Sequence, residues 1–137
     1  MEPYFSVVIP TYNRAAMLGD ALRSLWAQRF TDFETIVVDN GSTDDTAALL
    51  AGNQARLTRL KSDHRGPAAA RNLGAGRARG KYLAFLDSDD VWFPWALDTY
   101  ARALPHAYRD VLAPDGTHVR FRISGEGYSP KGEFFLG

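Results

Sequence analysis

Tyr82-Leu83-Ala84-Phe85-Leu86-Asp87-Ser88-Asp89-Asp90 is the stretch on which the reading of this chain turns. An unbroken apolar run of this length, bounded by polar residues, reads as a buried strand of a parallel sheet. Carboxylates crowded at its far end are costly unless a positive group meets them. In an extended chain Asp87 and Asp89 project to one side and Ser88 to the other. Paired carboxylates at the mouth of a sheet suit a hard divalent cation, which takes oxygen ligands and bridges to phosphate.

Working back from that stretch, the chain alternates. Phe5-Ser6-Val7-Val8-Ile9 reads as a strand closed by Pro10, which has no N–H to give a ladder. Leu18, Ala21, Leu22, Leu25 and Trp26 follow as one apolar helical stripe, starting from about Arg14. Thr35-Ile36-Val37-Val38 is a second, β-branched strand. Ser42-Thr43-Asp44-Asp45 offers capping chemistry to a short helix that Gly52-Asn53 ends. Arg56 to Leu60 is a weaker strand, nearer an edge. Gly66-Pro67 opens an alanine-rich helix to about Arg77, and Pro94 to Leu104 is a fourth helix. Repeated βα units with right-handed crossovers predict an α/β fold: a Rossmann-like, mostly parallel sheet with helices on both faces.

Composition sets the outer limits. The chain has 137 residues, one domain's worth, with 16 basic residues against 16 acidic ones. That balance gives no global field toward nucleic acid. Cysteine is absent, which excludes disulfides and thiolate metal sites. Met1-Glu2-Pro3-Tyr4 lacks the basic start of a signal peptide, and no run approaches a membrane span. A cytoplasmic protein is the expectation, with a peripheral place at the inner membrane face left open. Charge is uneven along the chain: Arg56 to Lys81 holds eight Lys or Arg against Asp63 alone. Most of these read as a solvated face, and one or two as reaching an anionic ligand.

Polar loops cluster at one end of the expected sheet. Thr11-Tyr12-Asn13, Asp39-Asn40-Gly41-Ser42 and Asp87-Ser88-Asp89-Asp90 all follow strands, at the edge where open α/β sheets bind ligands. If the fourth strand lies beside the first, the Thr11 and Asp87 loops face each other across a crevice. Asp39, at a strand tip, wants a donor such as a base N–H or a ribose hydroxyl. Ser42 and Asp44 read as turn and cap residues. Trp92 and Trp95 read as packing beneath the carboxylate loop, with stacking on a sugar ring as the sharper alternative.

Ser6 to Arg14, Ile36 to Asp44, Gly66-Pro67-Ala68-Ala69-Ala70-Arg71-Asn72 and Phe85 to Asp90, in that order and spacing, resemble the family 2 glycosyltransferases. The resemblance covers roughly residues 4 to 104 and implies a GT-A fold, a nucleotide-diphosphate-sugar donor (a UDP-sugar favoured) and Mn2+ or Mg2+. Carried over by position, Pro10, Thr11, Tyr12 and Asp39 hold the nucleoside, with Tyr12 against the base. Arg71 contacts the nucleotide, Asp87 sits near ribose and metal, and Asp89 ligates the metal. The implied chemistry is inverting attack by an acceptor hydroxyl, deprotonated by a carboxylate base.

The family's usual second half, which holds acceptor and base, has no recognised counterpart in Pro105 to Gly137. Residues 1–104 therefore read as a donor-binding half and 105–137 as a short extension. Val111 to Phe121 reads there as a hairpin with a Pro114-Asp115-Gly116 turn, and Ser124 to Pro130 as loop. Asp110, Asp115, Glu126 and Glu133 are the carboxylates left for a base, none marked out, so the catalytic base is unknown. His118 reads as a strand residue. The acceptor is unknown as well, and exposed apolar surface on a half-domain predicts a homo-oligomer. A nucleotide-binding module without turnover is the alternative. An aspartyl-nucleophile phosphatase built on Asp87 and Asp89 leaves the Thr11 and Asp39 loops unexplained.

Overall fold

The computed structural model describes residues 2–63, 65–104, 108–112, 118–122 and 135–136. Its elements run β1 (Phe5–Thr11), α1 (Ala15–Trp26), β2 (Phe33–Asp39), α2 (Thr46–Ala51), β3 (Thr58–Lys61), α3 (Pro67–Arg77), β4 (Tyr82–Phe85) and α4 (Ala96–Ala103). β5 (Tyr108–Leu112), β6 (His118–Arg122) and β7 (Phe135–Leu136) follow. The main sheet has the order β3-β2-β1-β4-β7, and every pairing in it is parallel. The sheet meets the condition set for the two loops to face each other: β4 lies beside β1. β5 and β6 form the expected antiparallel hairpin, with His118 in a strand, whereas the Pro114-Asp115-Gly116 turn and Ser124 to Pro130 lie outside the described residues. Sequence patterning gave no sign of β7, a two-residue strand beside β4.

Two apolar layers flank the sheet, as alternation along buried strands requires. Phe5, Val7 and Ile9 of β1 pack with Leu18, Leu22 and Leu25 of α1, Leu50 of α2 and Leu97 of α4. Val8, Ile36 and Val38 point the other way, onto Ala70 of α3. Trp26, expected within the core stripe, is half-buried at its rim, with the Arg56 guanidinium 4.1 Å above its ring. β3 starts at Thr58, two residues later than expected, after Leu57, which packs on the core. α4 likewise starts at Ala96, because the Pro94 carbonyl is engaged by the Arg29 N–H at 2.9 Å. Among the described residues no helix is long and apolar enough to cross a membrane.

Pro10 does not close β1; the strand runs through it to Thr11. The Leu86 N–H donates to the Val8 carbonyl at 3.1 Å, so the polar groups of Val8 face β4. Pro10, two residues on, faces the same way. The next rung toward β4 would need an N–H on Pro10, which proline lacks. Pairing with β4 ends there, while pairing with β2 continues to Thr11 opposite Asp39. The two strands part at the point where strand order reverses.

At the opposite end of the sheet, Glu34 ties three segments together. Its carboxylate accepts from the Ser6 hydroxyl at 2.6 Å, the Arg79 N–H at 2.7 Å and Arg79 Nε at 3.1 Å. The Ser6 oxygen in turn accepts the Gly80 N–H at 2.7 Å. Burial pushes the Glu34 carboxyl up, but these donors and the Arg79 charge outweigh it and hold the group below its ordinary range. A lowered folded pKa gives stability that is present above the unfolded value of about 4.3 and lost as pH falls through the folded one. Denaturation of Glu34→Gln beside wild type should show the widest gap at neutral pH, closing below about pH 4. A gap that does not change with pH would mean that the carboxylate's charge contributes nothing.

Candidate functional site

The carboxyl ends of β1, β2 and β4 and the start of α3 surround a cavity of about 350 Å³. Pro10, Thr11, Tyr12, Arg14, Asn40, Gly66, Pro67, Arg71, Asp87, Ser88 and Asp89 line it. Three loops distant in sequence thus meet in the crevice where β1 and β4 diverge.

Each wall has a local cause. Gly66 has φ 93°, a conformation that disfavours any side chain, and turns the chain into α3 with Pro67 at its first position. Gly74, one turn beyond Arg71, lies against Val8 and Val38, so α3 sits low on the sheet and Arg71 reaches the end of β4. The Asp87 stretch is a turn, not an extended chain, closed by the Asp90 N–H on the Asp87 carbonyl at 3.0 Å. Asp87 and Asp89 still share the cavity. Ser88, expected to point away from them, is buried and lines it as well.

The β1–α1 and β2–α2 loops are bound to each other. Asn13, at φ 49°, donates its N–H to Ser42 Oγ at 2.9 Å, and its side-chain oxygen accepts the Thr43 N–H at 2.7 Å. Asp44 accepts the Ala15 N–H at the start of α1 at 3.1 Å and the Thr46 N–H and hydroxyl at 3.0 and 2.6 Å. These donors, the Thr46 hydroxyl first, hold the Asp44 carboxyl below its ordinary range. Asp44 therefore serves the starts of α1 and α2 together. Ser42, expected as a turn or cap residue, braces the neighbouring loop.

The carboxylates meet guanidinium groups. Arg71 Nη2 lies 2.7 Å from Asp87 Oδ1, and Arg14 Nη1 lies 3.2 Å from Asp89 Oδ2. Carboxylate oxygens of Asp87, Asp89 and Asp90 come within 4.8 Å of one another. Asp39 is not among the residues lining the cavity. It is buried, accepting the Ser42 N–H at 3.0 Å and facing Arg59 Nη2 at 3.6 Å. The Ser42 N–H and the Arg59 guanidinium are thus donors to it from within the chain. Its neighbour Asn40 lines the cavity instead, its side-chain oxygen accepting from Ser62 Oγ at 2.6 Å and the Arg65 N–H at 3.2 Å.

Sequence reasoning brought Pro10, Thr11, Tyr12, Arg71, Asp87 and Asp89 to the cavity, and all six line it. It gave no role to Arg14 or Asn40. The available signal was position, since both are polar residues directly after a strand at the ligand edge. Trp92 packs on the core beside Tyr100, as expected, whereas Trp95 is exposed and stacked on Phe93 at 4.9 Å.

Comparison with known proteins agrees with this geometry. An uncharacterised glycosyltransferase of Rickettsia conorii is 46% identical over 90 residues, covering 64% of this chain and 15% of the relative. The GalNAc(5)-diNAcBac-PP-undecaprenol beta-1,3-glucosyltransferase of Campylobacter jejuni is 31% identical over 140 residues, covering 96% of this chain and 45% of the relative. The chain thus spans less than half the length of these curated relatives. Among solved structures, Staphylococcus aureus TarS 1-349 in complex with UDP-GlcNAc superposes with a TM-score of 0.68 at 32% identity, covering 78% of this chain and 32% of that one. The mannosyltransferase PcManGT from Pyrobaculum calidifontis, in complex with GDP-Man and Mn2+, gives 0.65 at 30% identity, covering 76% of this chain and 32% of that one. Both likenesses are to GT-A glycosyltransferases. The family model described as glycosyl transferase family 2 matches residues 6–120, and the chain belongs to that family.

Proposed function

We propose that this chain binds a nucleoside diphosphate sugar, a UDP-sugar in the first instance, together with Mn2+ or Mg2+. In this reading the protein transfers the sugar with inversion to an acceptor hydroxyl, residues 1–104 forming the donor half. The observation that carries it is the single cavity into which Tyr12, Arg71, Asp87 and Asp89 converge from separate loops. Relatives solved with UDP-GlcNAc and with GDP-Man and Mn2+ support the donor class.

The residues divide the work by chemistry. The Tyr12 ring, exposed at the cavity wall, offers a face on which a base can stack. Thr11 Oγ1 is buried without a hydrogen-bond partner, a polar atom that a ligand edge could satisfy. Asp39, behind the wall, holds the Ser42 N–H and so shapes the loop that faces the nucleoside. Arg71 brings a guanidinium suited to phosphate or ribose oxygens. The oxygen-only donor set of Asp87, Asp89 and Asp90 fits a hard divalent cation. Such a cation, when bound, supplies positive charge for the departing nucleoside diphosphate.

Calorimetric titration of UDP and GDP, with and without Mn2+, tests the reading. Mn2+-dependent binding of UDP is the expected result, followed by transfer or slow hydrolysis of a UDP-sugar. Binding without any turnover would favour a donor-binding module. Absence of nucleotide binding would overturn both.

A further inference from the structure

We propose that Arg14 changes partner when the donor enters, leaving Asp89 for the diphosphate. This role rests on the donor reading above. Of the three carboxylates given to the cation, Asp87 and Asp89 each hold a guanidinium, and the Arg14–Asp89 pair, at 3.2 Å, is the longer of the two. A divalent cation held by Asp89 would be repelled by a guanidinium on the same carboxylate. Arginine cannot clear the site by losing its proton, so its side chain must move.

The backbone of Arg14 is held while its side chain is not buried. Its carbonyl accepts the Leu18 N–H at 2.8 Å at the start of α1, and Asn13 before it is bonded to the neighbouring loop. Its side chain is 49% exposed and lines the cavity, so the guanidinium can swing without leaving the site. Displacing a pair this exposed costs little.

Charge balance gives the exchange its direction. Asp87, Asp89 and Asp90 against Arg14 and Arg71 leave the pocket with one net negative charge. A divalent cation alone makes it positive while the arginines stay. The diphosphate then brings at least two negative charges to a pocket that the cation has made positive, and the freed guanidinium meets phosphate oxygens.

The test titrates Mn2+ alone, and then UDP at saturating Mn2+, into wild type, Arg14→Gln and Arg14→Lys. Calorimetry is paired with the electron paramagnetic resonance signal of free Mn2+. Arg14→Gln should bind Mn2+ alone about two- to fivefold more tightly, because a competing ion pair is gone. It should bind UDP with Mn2+ about tenfold more weakly, because a charged hydrogen bond is lost. Arg14→Lys, which keeps the charge, should lie nearer wild type in both. A general loosening of the site would weaken both affinities, so the opposite signs carry the proposal. Shifts of the same sign, or none, in a protein whose wild type shows Mn2+-linked UDP binding overturn the role of Arg14 and leave the donor reading standing. A wild type without such binding overturns both.

Discussion

Gly80→Ala should lose about 3–4 kcal/mol of stability, a large share of the 5–15 kcal/mol available to a domain of this size. A methyl carbon at Gly80 would fall 2.5 Å from the Ser6 nitrogen, 2.6 Å from its hydroxyl and 2.7 Å from the Phe5 carbonyl carbon. Two of those three atoms are backbone in a strand paired on both sides, so they cannot give way cheaply. Moving them would also strain the Gly80 N–H to Ser6 bond and the Ser6 to Glu34 bond behind it. Gly76→Ala is the matched control. Nothing lies within 4 Å of that position on the exposed side of α3, and the change should stabilise by about 0.5–1 kcal/mol. Urea midpoints of the two variants decide the matter. A Gly80→Ala midpoint matching wild type would show that β1 and the α3–β4 connection do not pack this closely.

Asp89→Ala should weaken Mn2+-linked UDP binding at least about 100-fold, or about 2.7 kcal/mol, while leaving the protein folded. It removes one of the three clustered carboxylates and the partner of Arg14 together. The side chain is 46% exposed, so its ion pair supports the fold by about 1 kcal/mol at most. Calorimetry for binding and urea for stability separate the two effects. Unchanged UDP affinity in Mn2+ would place the cation somewhere other than Asp89.

Local pattern carried most of the fold. β1, β2, α1 and α3 were legible because apolar alternation, β-branched runs and the Gly66-Pro67 start are written into neighbouring residues. The meeting of the Thr11 and Asp87 loops followed from the rule that ligands bind where strand order reverses. What stayed hidden depends on partners far along the chain. The bonds from Asn13 to Ser42 and Thr43 span 29 and 30 residues, and no periodicity announces them. Arg14 reads as an ordinary cation until Asp89 is brought beside it. Asp39 reads as a carboxylate in want of a donor, and no local pattern tells that the Ser42 N–H and Arg59 become its neighbours in the folded chain. Pro10 misled for a subtler reason: a proline ends a strand only on the side where its N–H is needed.

That last point bears on the rate at which a ligand can enter. The gap between β1 and β4 begins where a covalent ring occupies the place of a hydrogen, so no rung must break before the cleft opens. For the proposed nucleotide, no backbone rung between these strands has to break before docking, and the Arg14 side chain is what must move.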